Sequence, residues 1–525
     1  MKRTILDRTI GYFSPKREAE RLAYRKKTDV LAGTQKRRGY EAAAVGRRTS
    51  GWLTRPGTND DELRRAAPKL RERSRDLDRN NAIATLGATR HADYMIGTGI
   101  IAKSRTQNPA RDEVVNDLWK AFTKRIDPEG LLTFDGLCHK AVRTMVVDGE
   151  IFARMRMRKA SDGLKVPLQV QLLEAEFLDS SKHGPTTGRN RAVNGIEFDA
   201  IGGRKAYWLF PQHPQSSASP FGMKSSAVRA TEVAHLFEPR GNQTRGAPWF
   251  APVMLDLKDL DEYHEAELVR KKIEACNVGV ITRRDDDDEI SEDPNQFLPN
   301  DDGEYEEQGS RIDEYRGVRD GNGDPVERFE PGMFAYANEG DDIHFNNPSV
   351  SAGQEAYIRS HQRRISAGVR MPYELLTNDL SQVTFASGKM GQLAYQQFVR
   401  TMQWNFIIPM FCDRIWTWFI ETCIITGLLP DGDYPVEWTV PRFQSITPID
   451  DVRADMLEVR NGFIPWDEKV TERGYDPDKV QQQIADRNKK LDDDAIVLDC
   501  DPRRVAINGQ AQWVAEQTDQ PKSNG

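Results

Sequence analysis

Residues 243 to 276, QTRGAPWFAPVMLDLKDLDEYHEAELVRKKIEAC, constrain this chain more than any other stretch. Pro248 and Pro252 flank a turn, and residues 253 to 275 contain neither Pro nor Gly, only mostly good helix formers. The stretch predicts one long helix, a rod of roughly 35 Å at about 1.5 Å per residue. Phe250, Val253, Met254, Leu257 and Leu260 fall on one stripe, whereas Tyr263, Ala266 and Ile273 drift to another. No single core therefore buries this helix along its length, and two neighbours, one at each end, would. Asp256, Asp259, Glu267 and Glu274 recur at offsets that place them close to one acidic face, which by periodicity alone reads as a solvated surface.

The rest of the chain sets the context. Its 525 residues have room for three or more modules with cores, yet 38% is hydrophobic and 30% charged, and the mean hydropathy of -0.67 is more polar than that of an average globular protein. Net charge is -7 and unevenly spread: residues 1 to 80 carry 22 Lys/Arg against 11 Asp/Glu, leaving 52 against 70 for the remainder. An acidic body argues against tight static binding of nucleic acid, because neutralisation of phosphates by Lys and Arg supplies most non-specific affinity.

Cys138, Cys276, Cys412, Cys423 and Cys500 are scattered and lack CxxC spacing, which points to neither zinc nor a disulfide framework and leaves a reducing cytoplasm as the default. The start lacks an apolar run of signal-peptide length. Residues 404 to 429, the most apolar tract, are interrupted by Pro409, Asp413, Arg414 and Glu421, so the chain reads as soluble with no membrane span.

Three decoys for chemistry can be weighed on the residues. GTGIIAKS at residues 97 to 104 has the spacing of a phosphate-binding loop, but Ala102 stands where the second Gly is required. Asp320, Asn322 and Asp324 mimic half a calcium loop, yet Pro325 and Pro331 occupy the turn and closing positions. The eight histidines show no paired metal spacing, and His235 in the apolar VAHLF reads as a core histidine that needs an internal partner. No catalytic, cofactor or metal site is expected.

Along the chain, residues 1 to 75 form a basic arm, either a solvated tail or an electrostatic tether. LDRNNAIATLGATRHADYMIGTGIIAKSR reads as a helix followed by a Gly-interrupted strand. DEVVNDLWKAFT and TFDGLCHKAVRTMVVDG are helical, and EIFARMRMRK, LKVPLQVQLLEAEFLDS, GIEFDAIGGRKAYWLF and EVAHLFEP alternate as strands, an α+β module. NVGVITRR reads as a strand that runs into the acidic DDDDEISEDPNQFLPNDDGEYEEQ, with a hairpin expected near residues 316 to 332. SAGQEAYIRSHQRRISAGVRM is a second helix, a polar loop follows at residues 378 to 387, and then another long helix. Trp404, Phe406, Phe411, Trp416, Trp418 and Phe419 read as core or subunit-contact aromatics. After the strand in VEWTV, two or three helices follow a turn at Pro448, with Thr447 as a plausible cap.

GNQTRGAPWFAPVMLDLKDLDEYHEAELVR resembles the segment of lambda-type phage portal proteins that leads into the first stem helix. The Arg-Asn-Asn helix, Asp148-Gly149-Glu150, LLEAEFLD, VAHLFEPRGNQTRG, the Pro-Tyr-Glu-x-Leu turn at Pro372 and the Trp-x-x-Pro strand at Trp438 occur in the same order in that family. The resemblance covers roughly residues 75 to 490. It implies a portal fold with a wing at 76 to 245, stem helices at 246 to 276 and 351 to 376, and a clip with an acidic insertion at 277 to 350. A tunnel loop at 377 to 388, a tunnel helix and return to the wing at 389 to 446, a helical crown at 447 to 495 and a mobile tail at 496 to 525 complete it.

The function implied is a ring of about twelve identical chains at one capsid vertex, through which double-stranded DNA passes in packaging and ejection. Implied partners are the terminase large subunit, head-tail adaptor proteins, and major capsid and scaffold proteins, with assembly in the host cytoplasm. By the same resemblance Asn378, Asp379, Ser381, Gln382, Thr384, Ser387 and Lys389 would line the channel, Asp256, Asp259, Glu267 and Glu274 would form the acidic face of the stem, and Asp285, Asp286, Asp287, Asp288 and Glu289 would dock partners on the clip. The rival readings are a packaging ATPase or nuclease, built on the GTGIIAKS stretch and the 285 to 289 cluster, and a capsid or tail adaptor without a channel.

Overall fold

The computed structural model describes residues 9–34 except 11, residues 57–275 except 187 and 221, and residues 279–282, 334–337, 353–444, 447–496, 498 and 503. The chain divides into two units at residues 58 and 59. In the first, α1 spans Pro15–Thr34. The second starts with α2, Asn59–Asn80, whose one face buries Leu63, Ala67, Arg71, Ser74 and Leu77. The expectation of an arm reaching residue 75 is corrected here: these residues recur every three to four positions, so the end of the basic stretch packs into the body.

Asn81 separates α2 from α3, Ala82–Ile96, and caps it by accepting the Ala84 amide at 2.8 Å. After β1, Ile101–Ser104, come α4, Pro109–Thr123, and α5, Phe134–Asp148. Gly149 ends α5 in the left-handed region, with φ 91°, and turns the chain into β2, Glu150–Met157. β2 is the central strand of an antiparallel three-stranded sheet with β3, Leu168–Leu173, on one side and β9, Val233–Phe237, on the other. Between them β4 to β8 (Gly184–Pro185, Arg191–Val193, Ile196–Phe198, Arg204–Leu209 and Ser226–Arg229) form an antiparallel meander. Helices and strands therefore mix as the α+β expectation requires.

α6, Met254–Ala275, is the long helix expected from its composition. β10, Gly279–Thr282, and β11, Phe334–Ala337, pair in parallel; the hairpin expected near 316 to 332 lies outside the described residues. α7, Gln354–Val369, ends at Arg370 in the left-handed region and is followed by a short α8, Tyr373–Thr377. Then α9, Phe385–Met402, continues through a π-helical segment, Gln403–Cys412, into α10, Asp413–Ile425. Pro409 explains the wider helix there: it has no amide to donate, and its ring would clash with a carbonyl four residues back. β12, Val436–Thr439, returns to pair antiparallel with β1, and α11, Pro448–Arg460, α12, Trp466–Glu472, and α13, Pro477–Asp493, close the chain.

The main core gathers α3, α4, α5 and the helical rod of residues 385 to 425. Phe411, Trp416, Trp418 and Phe419 are buried in it as expected, whereas Trp404 is half exposed. The indole nitrogens of Trp416, Trp418 and Trp438 donate to Tyr434 O, Thr231 O and Asp413 Oδ1, so burying these rings leaves none of those three donors unpaired.

Candidate nucleic-acid interface

The polar loop between α8 and α9 is shaped by its own side chains. Asn378 closes α8 at φ 57°. The Asp379 carboxylate accepts the Tyr373 hydroxyl at 2.6 Å, the Ser381 hydroxyl at 2.6 Å and the Ser381 amide at 3.0 Å. The Ser381 and Tyr373 hydroxyls hold its pKa down at about 2, so it stays ionised in the loop. Thr384 caps α9 reciprocally with Ser387: the Ser387 amide donates to Thr384 Oγ1 at 3.3 Å, and the Thr384 amide to Ser387 Oγ at 3.1 Å. The loop thus ends at Thr384, and Ser387 lies on α9 together with Lys389, because that cap starts the helix four residues before the expected boundary. Asn378, Ser381, Gln382, Thr384 and Ser387 are exposed, and Lys389 donates to Thr447 Oγ1 at 3.0 Å. Thr384→Ala is expected to cost about 1 kcal/mol at the start of α9. Amide exchange at Ser387 and Gly388 would then speed up roughly fivefold, and unchanged rates would refute the cap.

The acidic residues of α6 divide. Asp256 is buried and pairs with Arg364 of α7 at 3.1 Å, Glu267 pairs with Arg270 at 2.8 Å, and Asp259 is exposed. Asp256 therefore corrects the picture of a uniformly solvated acidic face, since α7 supplies the cation that the sequence of α6 does not show. The Glu274 side chain lies outside the described residues, as do Asp285, Asp286, Asp287, Asp288 and Glu289. The apolar stripe is buried throughout at Phe250, Val253, Met254, Leu257 and Leu260, whereas Leu268 and Val269, further along α6, are about half exposed.

The GTGIIAKS stretch does not cradle a phosphate here. Residues 101 to 104 are strand β1, Lys103 Nζ contacts Asp476 at 2.5 Å and Asp478 at 2.9 Å, and the Ser104 hydroxyl donates to Asp112 at 2.7 Å. The cation and hydroxyl that a nucleotide would need are thus bound to carboxylates of the chain itself. Glu174, Glu176 and His213 come close enough to share a metal ion. Arg75, at 2.7 Å from Glu176 and 3.4 Å from Glu174, already compensates both carboxylates and disfavours a cation there.

A model of the family described as phage portal protein, lambda family, matches residues 45–403. The chain belongs to the lambda family of phage portal proteins. The match starts earlier and ends earlier than the resemblance read from the sequence. The chain is 24% identical over 473 residues to a probable portal protein of Halomonas phage phiHAP-1, covering 86% of each. To portal protein B of Escherichia phage lambda it is 22% identical over 339 residues, covering 60% of this chain and 62% of that one. Among solved structures, a chain from the neck of a native GTA particle computed with C12 symmetry is 16% identical with a TM-score of 0.38, covering 77% of this chain and 94% of that one. A chain from the virion of a native gene transfer agent particle is 15% identical with a TM-score of 0.39, covering 82% and 98%. The portal family is structural, and among the described residues no helix is long and apolar enough to cross a membrane.

In this portal protein a buried ensemble of charged and polar groups surrounds Glu150, and His235 is the one member that the sequence marks. Glu150, at the start of β2, accepts from Arg245 Nε at 2.8 Å and Nη2 at 2.5 Å, and from the Gly246 amide at 3.2 Å. Arg204 Nη1 donates to His235 Nδ1 at 2.7 Å, so Nδ1 must be the acceptor and Nε2–H donates to Glu150 at 3.0 Å. Burial pushes the His235 pKa down to about 4 despite that carboxylate, so the contact at neutral pH is a hydrogen bond rather than an ion pair. Burial also opposes ionisation of Glu150, but Arg245, His235 and Arg71 hold it well below the usual range. Next to it Arg75 binds Asp148 at 2.6 and 2.8 Å. The remaining signal in the sequence was polar residues in apolar strands, Glu150 ahead of IFA and His235 within VAHLF.

Because unfolding releases His235 to take up a proton below about 6.5, the unfolded state binds more protons between pH 6.5 and 4. The share of His235 in the stability is therefore expected to fall by roughly 3 kcal/mol as pH drops through that window. His235→Gln, which keeps a donor and an acceptor but does not titrate, would remove that share in urea denaturation at stepped pH and leave the share of His91, which burial also pushes down to about 4; an unchanged slope would rule His235 out as a source.

Proposed function

We propose that copies of this chain assemble into a closed ring, about twelve in number, whose axial channel passes duplex DNA during packaging and ejection. The reading rests on family membership, and one structural observation supports the ring in particular. In the first half of α6 the face with Met254, Leu257 and Leu260 is buried within its own chain, while Leu268 and Val269 in its second half stay about half exposed, as does Tyr357 of α7. A helix with one end wrapped and the other bare gains burial from an equivalent helix of a neighbouring copy, at about 25 cal/mol per Å² of apolar surface covered.

In this arrangement residues 59 to 245 form the wing, α6 and α7 the stem, residues 277 to 350 the clip, residues 377 to 384 the tunnel loop, the rod from Phe385 the tunnel helix, and α11 to α13 the crown. The small exposed polar groups Asn378, Ser381, Gln382 and Thr384 would offer a sliding duplex weak, sequence-independent contacts. The acidic Asp285, Asp286, Asp287, Asp288 and Glu289 would give the clip fast, salt-sensitive association with basic surfaces of the terminase large subunit and then of head-tail adaptors. Capsid and scaffold proteins would meet the outer wing during assembly in the host cytoplasm. The protein would make and break no bond itself.

Electron microscopy of the purified full-length protein, with class averages compared for symmetry and an axial hole, tests the ring. A closed ring of about twelve subunits with an opening wide enough for a duplex is expected; a small closed dimer without a channel would overturn the reading. ATP turnover that disappears in Lys103→Ala would instead favour the packaging-enzyme reading.

A further inference from the structure

We propose that the cleft between the end of α4 and the loop joining β2 to β3 binds an acidic segment of a partner protein, one that alternates carboxylate and apolar side chains. The cleft has a volume of about 490 Å³ and is rimmed by Lys120, Lys124, Arg125 and Lys165, with Asp117 the one carboxylate among its lining residues. These cations come from two separate walls, three from α4 and the turn after it and one from the loop. The favourable field at the end of a helix therefore accounts for Lys120 but not for Lys165.

The walls are fixed to each other. Gly163, at φ 70°, turns the loop toward α4, and Arg125 Nη1 donates to its carbonyl at 3.3 Å. Asp162, the nearest acid in the loop, is spent on the Lys159 amide at 3.0 Å. Among the described residues none of the four cations has a carboxylate within 4.0 Å, so the site is a local positive pocket on a chain of net charge -7. Its floor is the buried Phe122, Val166 and Leu168, with Leu164 partly exposed above them.

A concave pocket with an apolar floor and a cationic rim fits a peptide better than a duplex. Duplex phosphates present a convex, evenly charged ridge that gains nothing from apolar surface, whereas a peptide places an apolar side chain on the floor and carboxylates on the rim. This inference does not depend on the channel reading.

The test uses the full-length protein and three fluorescein-labelled probes: a 12-residue peptide of alternating Asp and Leu, its Asp and Ser counterpart, and a 20-base-pair duplex. Anisotropy titrations at low and high salt are expected to show the Asp-Leu peptide bound most tightly, and more weakly as salt rises. K120E/K124E/K165E should weaken that binding at least tenfold, and K165E alone, on the exposed loop, about threefold. K140E, on the exposed face of α5, should leave it unchanged, and circular dichroism would establish that each variant is folded. Equal affinity in wild type and folded variants, no peptide binding at all, or duplex binding lost in the same variants while the peptide binds weakly, would each overturn the proposal, the last by reassigning the cleft to nucleic acid.

Discussion

Glu150→Ala is expected to destabilise the protein by about 3–5 kcal/mol, the range for breaking a buried ion pair from one side. Glu150 is fully buried, and its removal leaves Arg245, held at 2.5 Å, buried without a carboxylate partner, and leaves Arg71, at 3.8 Å, with Glu176 alone. It also takes the acceptor from His235 Nε2–H and from the Gly246 amide. Urea denaturation of the variant against wild type measures the loss. The double variant with Arg245→Met should lose much less than the two single losses added together, because the second change removes the stranded charge. A loss below about 1 kcal/mol for Glu150→Ala would mean that the ensemble is hydrated and contributes little.

Gly149→Ala is expected to cost about 3 kcal/mol or more through two effects at one atom. Gly149 sits at φ 91°, where a residue with a Cβ is strained by about 1–3 kcal/mol. The added methyl would also collide with the backbone of Ala247 and Pro248, which crosses over the turn, adding overpacking of about 1–3 kcal/mol. Gly202 separates the two effects: it has φ 90°, and a methyl added there would meet nothing within 4 Å. Gly202→Ala should show the strain alone, and equal losses at both positions would show that the crossing of residues 246 to 248 over Gly149 is loose. The crossing matters because it carries the chain from the buried ensemble into α6. Trp249 N donates to Val146 O at 3.0 Å, so the start of the long helix is fixed to the end of α5.

Both sites show where local reading stops. The sequence placed α6, α7 and the long helix after the polar loop, because their apolar residues repeat every three to four positions and Pro or Gly marks their limits. It placed the strands of the α+β module by their alternation, and it identified His235 as a core histidine because an imidazole among Val, Ala, Leu and Phe has nowhere else to go. Ordered segments across several hundred residues carried the family. The loop boundary near Ser387 was missed for a local reason: Thr384 and Ser387 form a reciprocal cap, a pattern present in the sequence but weaker than one with Glu or Gln at the third position.

The pairing of charges was decided by the tertiary structure. Asp256 has the same spacing as a solvated acid, and only the approach of α7 makes Arg364 its partner. Lys103 fits a phosphate loop until β1 pairs with β12 and α13 brings Asp476 and Asp478 to it, more than 370 residues along the chain. Glu150 and Arg245, 95 residues apart, carry no mark of belonging together. Periodicity reports how a residue faces within its own element, because side-chain direction follows from the backbone of that element. Which charge it meets depends on how elements are brought together by burial of apolar surface, which is non-directional and does not record the charges it encloses. The sequence thus determined the elements, their apolar faces and the family, and the packing of those elements decided which ions are buried and which stay free to meet a partner.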